Sequence, residues 1–485
     1  MIKNIKHNAL IALLFCVNGA FAVDLGEIHW DWSKIDTDST TFDKDFILGT
    51  AVSLYQVAGG DCSNWTACNF AKDENGNPRI AHGEMTGKAC DFWNHLDDDI
   101  QRLVDMKVKA FRFSIEWADI EPIKGQYDAQ ALARYHDLFN RLEKAGIKSV
   151  VTLHHFVHPW WFEDMGAFEK AENIKYFVEY AQNMVAEFGD KAMMWATFNE
   201  PGVYIFQGYV RGVWPPYKYT PMPVLPWAVP SLNFIAVHRA GRVLKNMLLA
   251  HIKAYQAIKA LPKGNKHQVG LVHSVTHFDP FHPGNALEET VCHYTTNMFH
   301  DAITEFFASG SFKFGIPVGL YSYENKEATK SLDFWGINYY SHALLNMSLT
   351  DGKFDQDYRP EEIKTDMRYS IYAEGLYRSI KDASDRITAP QNIPIYITEN
   401  GLADAKDDRR AIFIKQYLYS LKKAVDDGYD VRGYFFWSLL DNFEWTEGYD
   451  MKFGLYEVDF KTQERKLRKG AQPYLDIIAR TYAQA

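Results

Sequence analysis

The segment Trp195-Ala196-Thr197-Phe198-Asn199-Glu200-Pro201 changes character midway, from a near-continuous apolar run to an amide, a carboxylate and a proline. A short apolar run with aromatic and β-branched residues suits a strand buried on both faces, as in a parallel sheet. The same grammar recurs along the chain. It predicts strands at Phe46–Ala51, Ala110–Ile115, Ser149–Leu153, Trp195–Phe198, Val269–Ser274, Phe334–Tyr339, Ile395–Thr398 and Gly433–Trp437. Amphipathic stretches lie between them. In Leu96–Met106 the residues Leu96, Ile100, Leu103 and Val104 fall on one helical face, and Ala131–Ala145 and Ala411–Ala424 behave alike. Strands alternating with helices in this number predict an α/β protein with a single (β/α)8 TIM barrel. A doubly wound open sheet would carry a glycine-rich nucleotide turn after its first strand. Neither G-x-G-x-x-G nor G-x-x-x-x-G-K-[ST] occurs in the chain.

The 485 residues exceed the ~250 of a typical barrel by roughly 200. The surplus falls largely after strand ends, at 52–95, 201–235 and 275–330, where loops wall a barrel's mouth. A net charge of −10 argues against nucleic acid or an anionic membrane as a partner. With 47% hydrophobic and 24% charged residues, the composition excludes a disordered chain and a multi-span membrane protein. The N-terminus has the order of a secretory signal: Lys3 and Lys6, an apolar run Ala9–Val17, then Ala20-Phe21-Ala22. Cleavage after Ala22 would leave 23–485 as one catalytic domain, secreted or periplasmic, with no membrane insertion. In an oxidising compartment Cys62 and Cys68 either close a short loop as a disulfide or stay free. No ligand spacing typical of a metal site is present, so no metal and no cofactor is expected. Asn64-Trp65-Thr66 and Asn346-Met347-Ser348 are glycosylation sequons, relevant only in a eukaryotic source.

The predicted strands end in chemistry. Arg112 lies inside the second, which runs out at Ile115-Glu116-Trp117. The third ends at His154-His155, the fourth at Asn199-Glu200, the sixth at Asn338-Tyr339-Tyr340, the seventh at Glu399-Asn400-Gly401 and the eighth at Trp437, leading to Asn442-Phe443-Glu444-Trp445. In a barrel, polar groups at C-terminal strand ends converge on one cavity. Two glutamates facing each other across that cavity, without metal ligands, suit glycoside hydrolysis. One acid protonates the leaving oxygen, and the other carboxylate attacks the anomeric carbon or activates water. Asn199 can bond a sugar hydroxyl, Tyr340 and Arg112 can orient Glu399, and Trp437, Trp445 and Phe453 offer faces for a pyranose ring.

These motifs resemble glycoside hydrolase family 1, the β-glucosidase-like enzymes, over about residues 42–480. Thr197-Phe198-Asn199-Glu200-Pro201 resembles the family's acid/base motif, Ile397-Thr398-Glu399-Asn400-Gly401 its nucleophile motif, and 437–445 its sugar-recognition segment. The resemblance implies a retaining, exo-acting β-glycosidase, a β-glucosidase foremost, with Glu200 as acid/base, Glu399 as nucleophile and carboxyl groups about 5–5.5 Å apart. It implies that Gln56, His155, Asn199, Glu444 and Trp445 bind the non-reducing sugar over Trp437. Arg112, Asn338 and Tyr340 would support the two carboxylates. The expected partner is a β-linked oligosaccharide or an aryl or alkyl β-glycoside. Galactosidase, fucosidase and transglycosidase activities fit the same motifs. Glu444 argues against a phosphorylated sugar, and the two intact glutamates argue against a non-catalytic sugar-binding relative. Ala58, where the family often has Glu, and Phe156, where Trp is common, bear on substrate preference. His154 and His158 receive no role.

Overall fold

The computed structural model describes residues 26–218, 234–315, 320–348 and 353–483. The proposed signal segment lies outside them, as do parts of the loop segments 201–235 and 275–330. Eight parallel strands close in sequence order: β1 (Ile47–Ala51), β2 (Ala110–Ser114), β3 (Lys148–Thr152), β4 (Ala192–Asn199), β5 (Gln268–Pro280), β6 (Phe334–Ser348), β7 (Ile395–Asn400) and β8 (Val431–Trp437). Pairing of β8 with β1 and of β6 with β7 completes the ring. A helix follows each strand: α1 (Leu96–Asp105), α2 (Ala129–Lys144), α3 (Ile174–Phe188), α4 (Phe234–Lys259), α5 (Ala302–Ser309), α6 (Glu374–Ala383), α7 (Arg410–Asp426) and α8 (Gln472–Ala483).

The period-two alternation of strand side chains divides the core in two. Ile47, Ala110, Val150, Met194, Val272, Phe334 and Phe435 fill the lumen. Leu48, Phe111, Val151, Trp195, Leu271, Trp335 and Tyr434 face the helical sheath. Each helix meets that sheath with an apolar stripe. In α2, Ala131, Tyr135, Leu138, Phe139 and Leu142 are buried, and Asp128 caps the start by accepting from the backbone N–H groups of Gln130 and Ala131. In α1 the stripe is Leu96, Ile100 and Leu103, while Val104 turns outward, against expectation, and is 39% exposed. Position 104 follows Leu103 by one residue, about 100° around the helix, which carries it off the stripe.

Two strands outrun their predicted length. β5 and β6 continue beyond the barrel as a paired ribbon, His277–Pro280 against His342–Leu345, where the sequence suggested loop. The segment Lys353–Asp357 then adds antiparallel to β6. This ribbon stands as one wall of the mouth.

Candidate active site

Both glutamates sit where strand register breaks. β4 slips against β5 between Ala196 and Asn199, and β7 slips against β6 between Ile397 and Glu399. Such irregularities re-aim side chains at a barrel rim. Glu200 takes the left-handed conformation, φ 45°, and caps the helix Pro201–Ile205. A non-glycine residue held there costs on the order of 1–3 kcal/mol and is retained where the surroundings fix it. Its N–H donates to the Val272 carbonyl at 2.9 Å. Gly401 follows Glu399 because a Cβ there would lie 1.7 Å from the Trp437 carbonyl oxygen; β7 can leave the barrel past β8 only without a side chain.

One hydrogen-bonded network joins the two carboxyl groups. Arg112, inside β2 and 1% exposed, donates to Glu399 Oε1 at 2.5 Å and to Asn199 Oδ1 at 2.7 Å. Tyr340 donates its hydroxyl to Glu399 Oε2 at 2.6 Å. Asn338 donates to Glu200 Oε1 at 2.7 Å and to Asn199 Oδ1 at 3.1 Å, and its own oxygen accepts from Thr398 at 2.7 Å. Glu399 thus meets a guanidinium and a phenol, whereas Glu200 meets a neutral amide. Burial, reinforced by the charge of Glu399, pushes the Glu200 carboxyl up to about 8. Burial and the same charge hold the Tyr340 phenol well above its ordinary range, so it remains a donor.

The predicted sugar-binding residues gather beside this pair. Gln56 donates to Glu444 Oε2 at 3.1 Å, to Asn442 and to the Phe443 carbonyl. Asn199 donates to His155 Nε2 at 3.2 Å. The His155 ring is held neutral, its pKa driven well below the usual value by burial and by Arg112. It lies parallel to Trp437 at 5.7 Å and to Trp445 at 6.1 Å. Glu444 is pushed up to about 8, by burial first and then by the charge of Glu399. Gln56 Oε1 and His155 Nδ1 are buried without a protein partner. With Nε2 accepting, the neutral ring carries its proton on Nδ1. One orphan is therefore an acceptor and the other a donor, a pair that a hydroxyl-bearing ligand satisfies.

The site opens into a cavity of about 350 Å³, and Tyr340, Trp437, Trp445, Phe453 and Phe156 are among its lining residues. Ala58 is not, so of the two departures from the family pattern only Phe156 reaches the mouth. A larger cavity of about 510 Å³ shares Thr276 and Phe278 with the first but contains neither glutamate. Several of its charged groups are paired with one another, Asp279 with Arg378 and Asp382 with His300.

An ion-pair cluster near the mouth gave no sequence signal. His342, Asp279 and Glu27 bring ligand-type atoms within 4.8 Å of one another. Arg378 and Arg359 already bond the two carboxylates, so the group is an ion-pair cluster, assembled from segments well separated along the chain. Buried next to His155, His154 bonds His158 at 3.1 Å, and His158 bonds Glu163 at 2.7 Å. Cys62 and Cys68 are free thiols, which settles the open disulfide question; Cys68 is buried and accepts from the Tyr217 hydroxyl. The Asn64 sequon is closed to a glycan, since Asn64 is buried and donates to the Phe156 carbonyl. Among the described residues no helix is long and apolar enough to cross a membrane.

Comparison with known proteins agrees with this geometry. Residues 38–482 match the model of "Glycosyl hydrolase family 1". Beta-glucosidase A of Thermotoga maritima is 29% identical over 472 residues, covering 90% of this chain and 97% of that protein. A 6-phospho-beta-galactosidase of Staphylococcus haemolyticus is 30% identical over 490 residues, covering 90% and 97%. Among solved structures, a beta-glycosidase from Pyrococcus horikoshii superposes with a TM-score of 0.76 at 33% identity, covering 90% of this chain and 95% of that one. Closed barrel, strand-end carboxyl pair and family match over nearly the whole chain lead to one assignment: the protein belongs to glycosyl hydrolase family 1 and is a β-glycosidase.

Proposed function

We propose that the protein is a retaining, exo-acting β-glucosidase, with Glu200 as general acid/base and Glu399 as nucleophile. The observation that carries this reading is the unequal surroundings of the two carboxyl groups. Environments that set two acids apart mark which one gives a proton and which one attacks. Glu200, buried with a neutral partner, keeps its proton through neutral pH and can deliver it to the departing oxygen. Glu399, fixed at both oxygens by Arg112 and Tyr340, is oriented to attack the anomeric carbon. Once the glycosyl-enzyme forms, the charge of Glu399 is gone. Glu200, its proton spent on the departing oxygen, then stays ionised more readily and can take a proton from the attacking water.

The orphan pair Gln56 Oε1 and His155 Nδ1 supports binding of sugar hydroxyls, with Glu444 and Asn199 beside them and Trp437 beneath. A phosphorylated sugar, suggested by the name of the staphylococcal relative, finds less support. No described residue lining the pocket is Lys or Arg, and a dianion would face Glu444 unpaired. Export through the segment 1–22 completes the proposal and suits an unphosphorylated substrate.

The test is proton NMR of the first turnovers on a panel of β-glycosides. The expected outcome is fastest release from the glucoside, with the β-anomer of the free sugar appearing first. Initial release of the α-anomer would overturn the retaining mechanism. Faster turnover of galactoside or fucoside would overturn the glucosidase assignment. N-terminal sequencing of exported protein tests cleavage, with Val23 expected.

A further inference from the structure

The pocket's far end has a different chemistry from its sugar end. Phe206, Phe278 and Phe299 stand there as a wall of partly buried rings, with centroids 4.3 Å apart for Phe206–Phe299 and 5.2 Å for Phe278–Phe299. They come from three places: the turn Phe206–Val210, the β5 extension, and the turn Asn297–Asp301. All three belong to the Glu200 side. Phe206 directly follows the helix that Glu200 caps, and Phe278 lies on β5, whose Val272 carbonyl accepts the Glu200 N–H. The acid donates to the leaving oxygen, so the leaving group departs on its side. The wall therefore faces the aglycone.

Several polar groups at this end are engaged with the protein, while Thr276, the Gln207 amide donors and the exposed Gln356 lie at its edge. His342 bonds Asp279 and Glu362 through its two ring nitrogens. Ser341 donates to the Ser370 carbonyl, and Gln207 accepts from Arg211. Apart from Glu200, Glu399, Glu444 and His342, no described lining residue is ionisable as acid, lysine, arginine or histidine except the neutral His155. A second sugar would have to give up water around several hydroxyls with few protein groups to replace it, a cost of about 1–3 kcal/mol for each one left unpaired. A flat apolar group meets ring edges and faces in the offset or tilted contacts aromatic pairs prefer.

We infer that the aglycone subsite selects an aromatic, apolar leaving group, so that the substrates are aryl-bearing β-glycosides and not β-linked oligosaccharides. This rests on the proposed acid role of Glu200. The test holds the glycone constant, at the configuration the enzyme turns over fastest, and compares its 2-phenylethyl β-glycoside with the corresponding β-1,4-linked disaccharide. Both leave as alkoxides that need the acid, so the comparison reads binding of the aglycone. The glycosyl fluoride, which has no aglycone to bind, serves as reference. We expect kcat/KM for the phenylethyl glycoside to exceed that for the disaccharide by about tenfold or more, the scale of discrimination an apolar pocket achieves. Phe299→Ala and Phe206→Ala should lower the phenylethyl-to-fluoride ratio by about tenfold, mainly through KM, with Phe299→Leu intermediate. Equal turnover of the two glycosides, or a ratio unmoved in every variant, would overturn the aromatic subsite while leaving the glycosidase reading intact. Failure of the wild-type protein on the fluoride itself would instead remove the reading on which the subsite rests.

Discussion

The two ends of the pocket solve different problems with different parts. The sugar end is built on strand tips. Arg112, Asn199, Asn338, Tyr340 and Glu399 are locked by bonds of 2.5–3.1 Å into a network in which each polar group has a stated partner. The far end is built on insertions, and its rings are placed by packing instead of hydrogen bonds. Charge chemistry needs atoms fixed to fractions of an ångström, which barrel strands supply. Leaving-group choice needs only a surface of the right polarity, which loops supply and can exchange. If this division holds, changes at the sugar end should destroy turnover, and changes at the far end should redirect it.

The largest effect should come from Glu399→Ala, with turnover falling more than about 10⁴-fold, as when a nucleophile that works as part of a unit is removed. Added azide or formate should partly restore it, giving an α-configured adduct, because a small anion attacks where the carboxylate stood. A restored reaction yielding only β-product would end the nucleophile assignment. Next comes Glu200→Gln. Loss of the acid should slow an alkyl β-glycoside by about 10²–10⁴-fold and an activated dinitrophenyl glycoside much less. Equal losses on both would take Glu200 out of the acid role.

A smaller effect separates the two ends by stability. Arg112→Met leaves buried Glu399 with Tyr340 as its remaining partner and strips Asn199 Oδ1 of a donor. Breaking one side of a buried pair typically costs about 3–5 kcal/mol. Phe299→Ala removes a ring that is only partly buried and should cost less than the ~3–5 kcal/mol of a fully buried phenylalanine. Urea denaturation of the two variants measures both. An Arg112→Met protein as stable as the wild type would mean that the network is not under the electrostatic tension its burial suggests.

The same division explains what the sequence made legible. A barrel strand is short, apolar and self-announcing, and the residue after it is delivered to the mouth by topology alone. Glu200, Glu399, Asn338 and Tyr340 could therefore be placed without coordinates. Gln56 and Glu444 needed the family resemblance, because they sit in the connections after β1 and β8, Gln56 on the short helix Leu54–Ala58, and local pattern does not fix the course of either connection. Phe206, Phe278 and Phe299 were invisible because a phenylalanine bound for a wall and one bound for the core look alike in sequence. The β5–β6 ribbon was hidden for another reason. His277, Phe278 and Asp279 read as loop, and their strand pairing comes from partners at 342–344, some 65 residues away. The ion-pair cluster of Glu27, Asp279 and His342 is non-local in the same way.

The smallest expected effect probes the coupling inside the sugar end. Two causes raise the Glu200 carboxyl to about 8: burial, the larger, and the negative charge of Glu399. Glu200 must be protonated to act as an acid, so glycoside cleavage should decline as pH rises through about 8. Glu399→Gln keeps the shape of the side chain and removes its charge, as glycosylation would in the proposed mechanism. The second cause then disappears while burial remains. The Glu200 pKa should fall below its wild-type value yet stay above that of an exposed glutamate. Carbon NMR of protein labelled at glutamate side chains reads this directly, comparing Glu399→Gln with the wild type across pH 4–10 (chosen to bracket about 8). An unchanged or higher value would show that the charge of Glu399 does not reach Glu200. The residue would then have no means of switching from acid to base between the two halves of a retaining reaction.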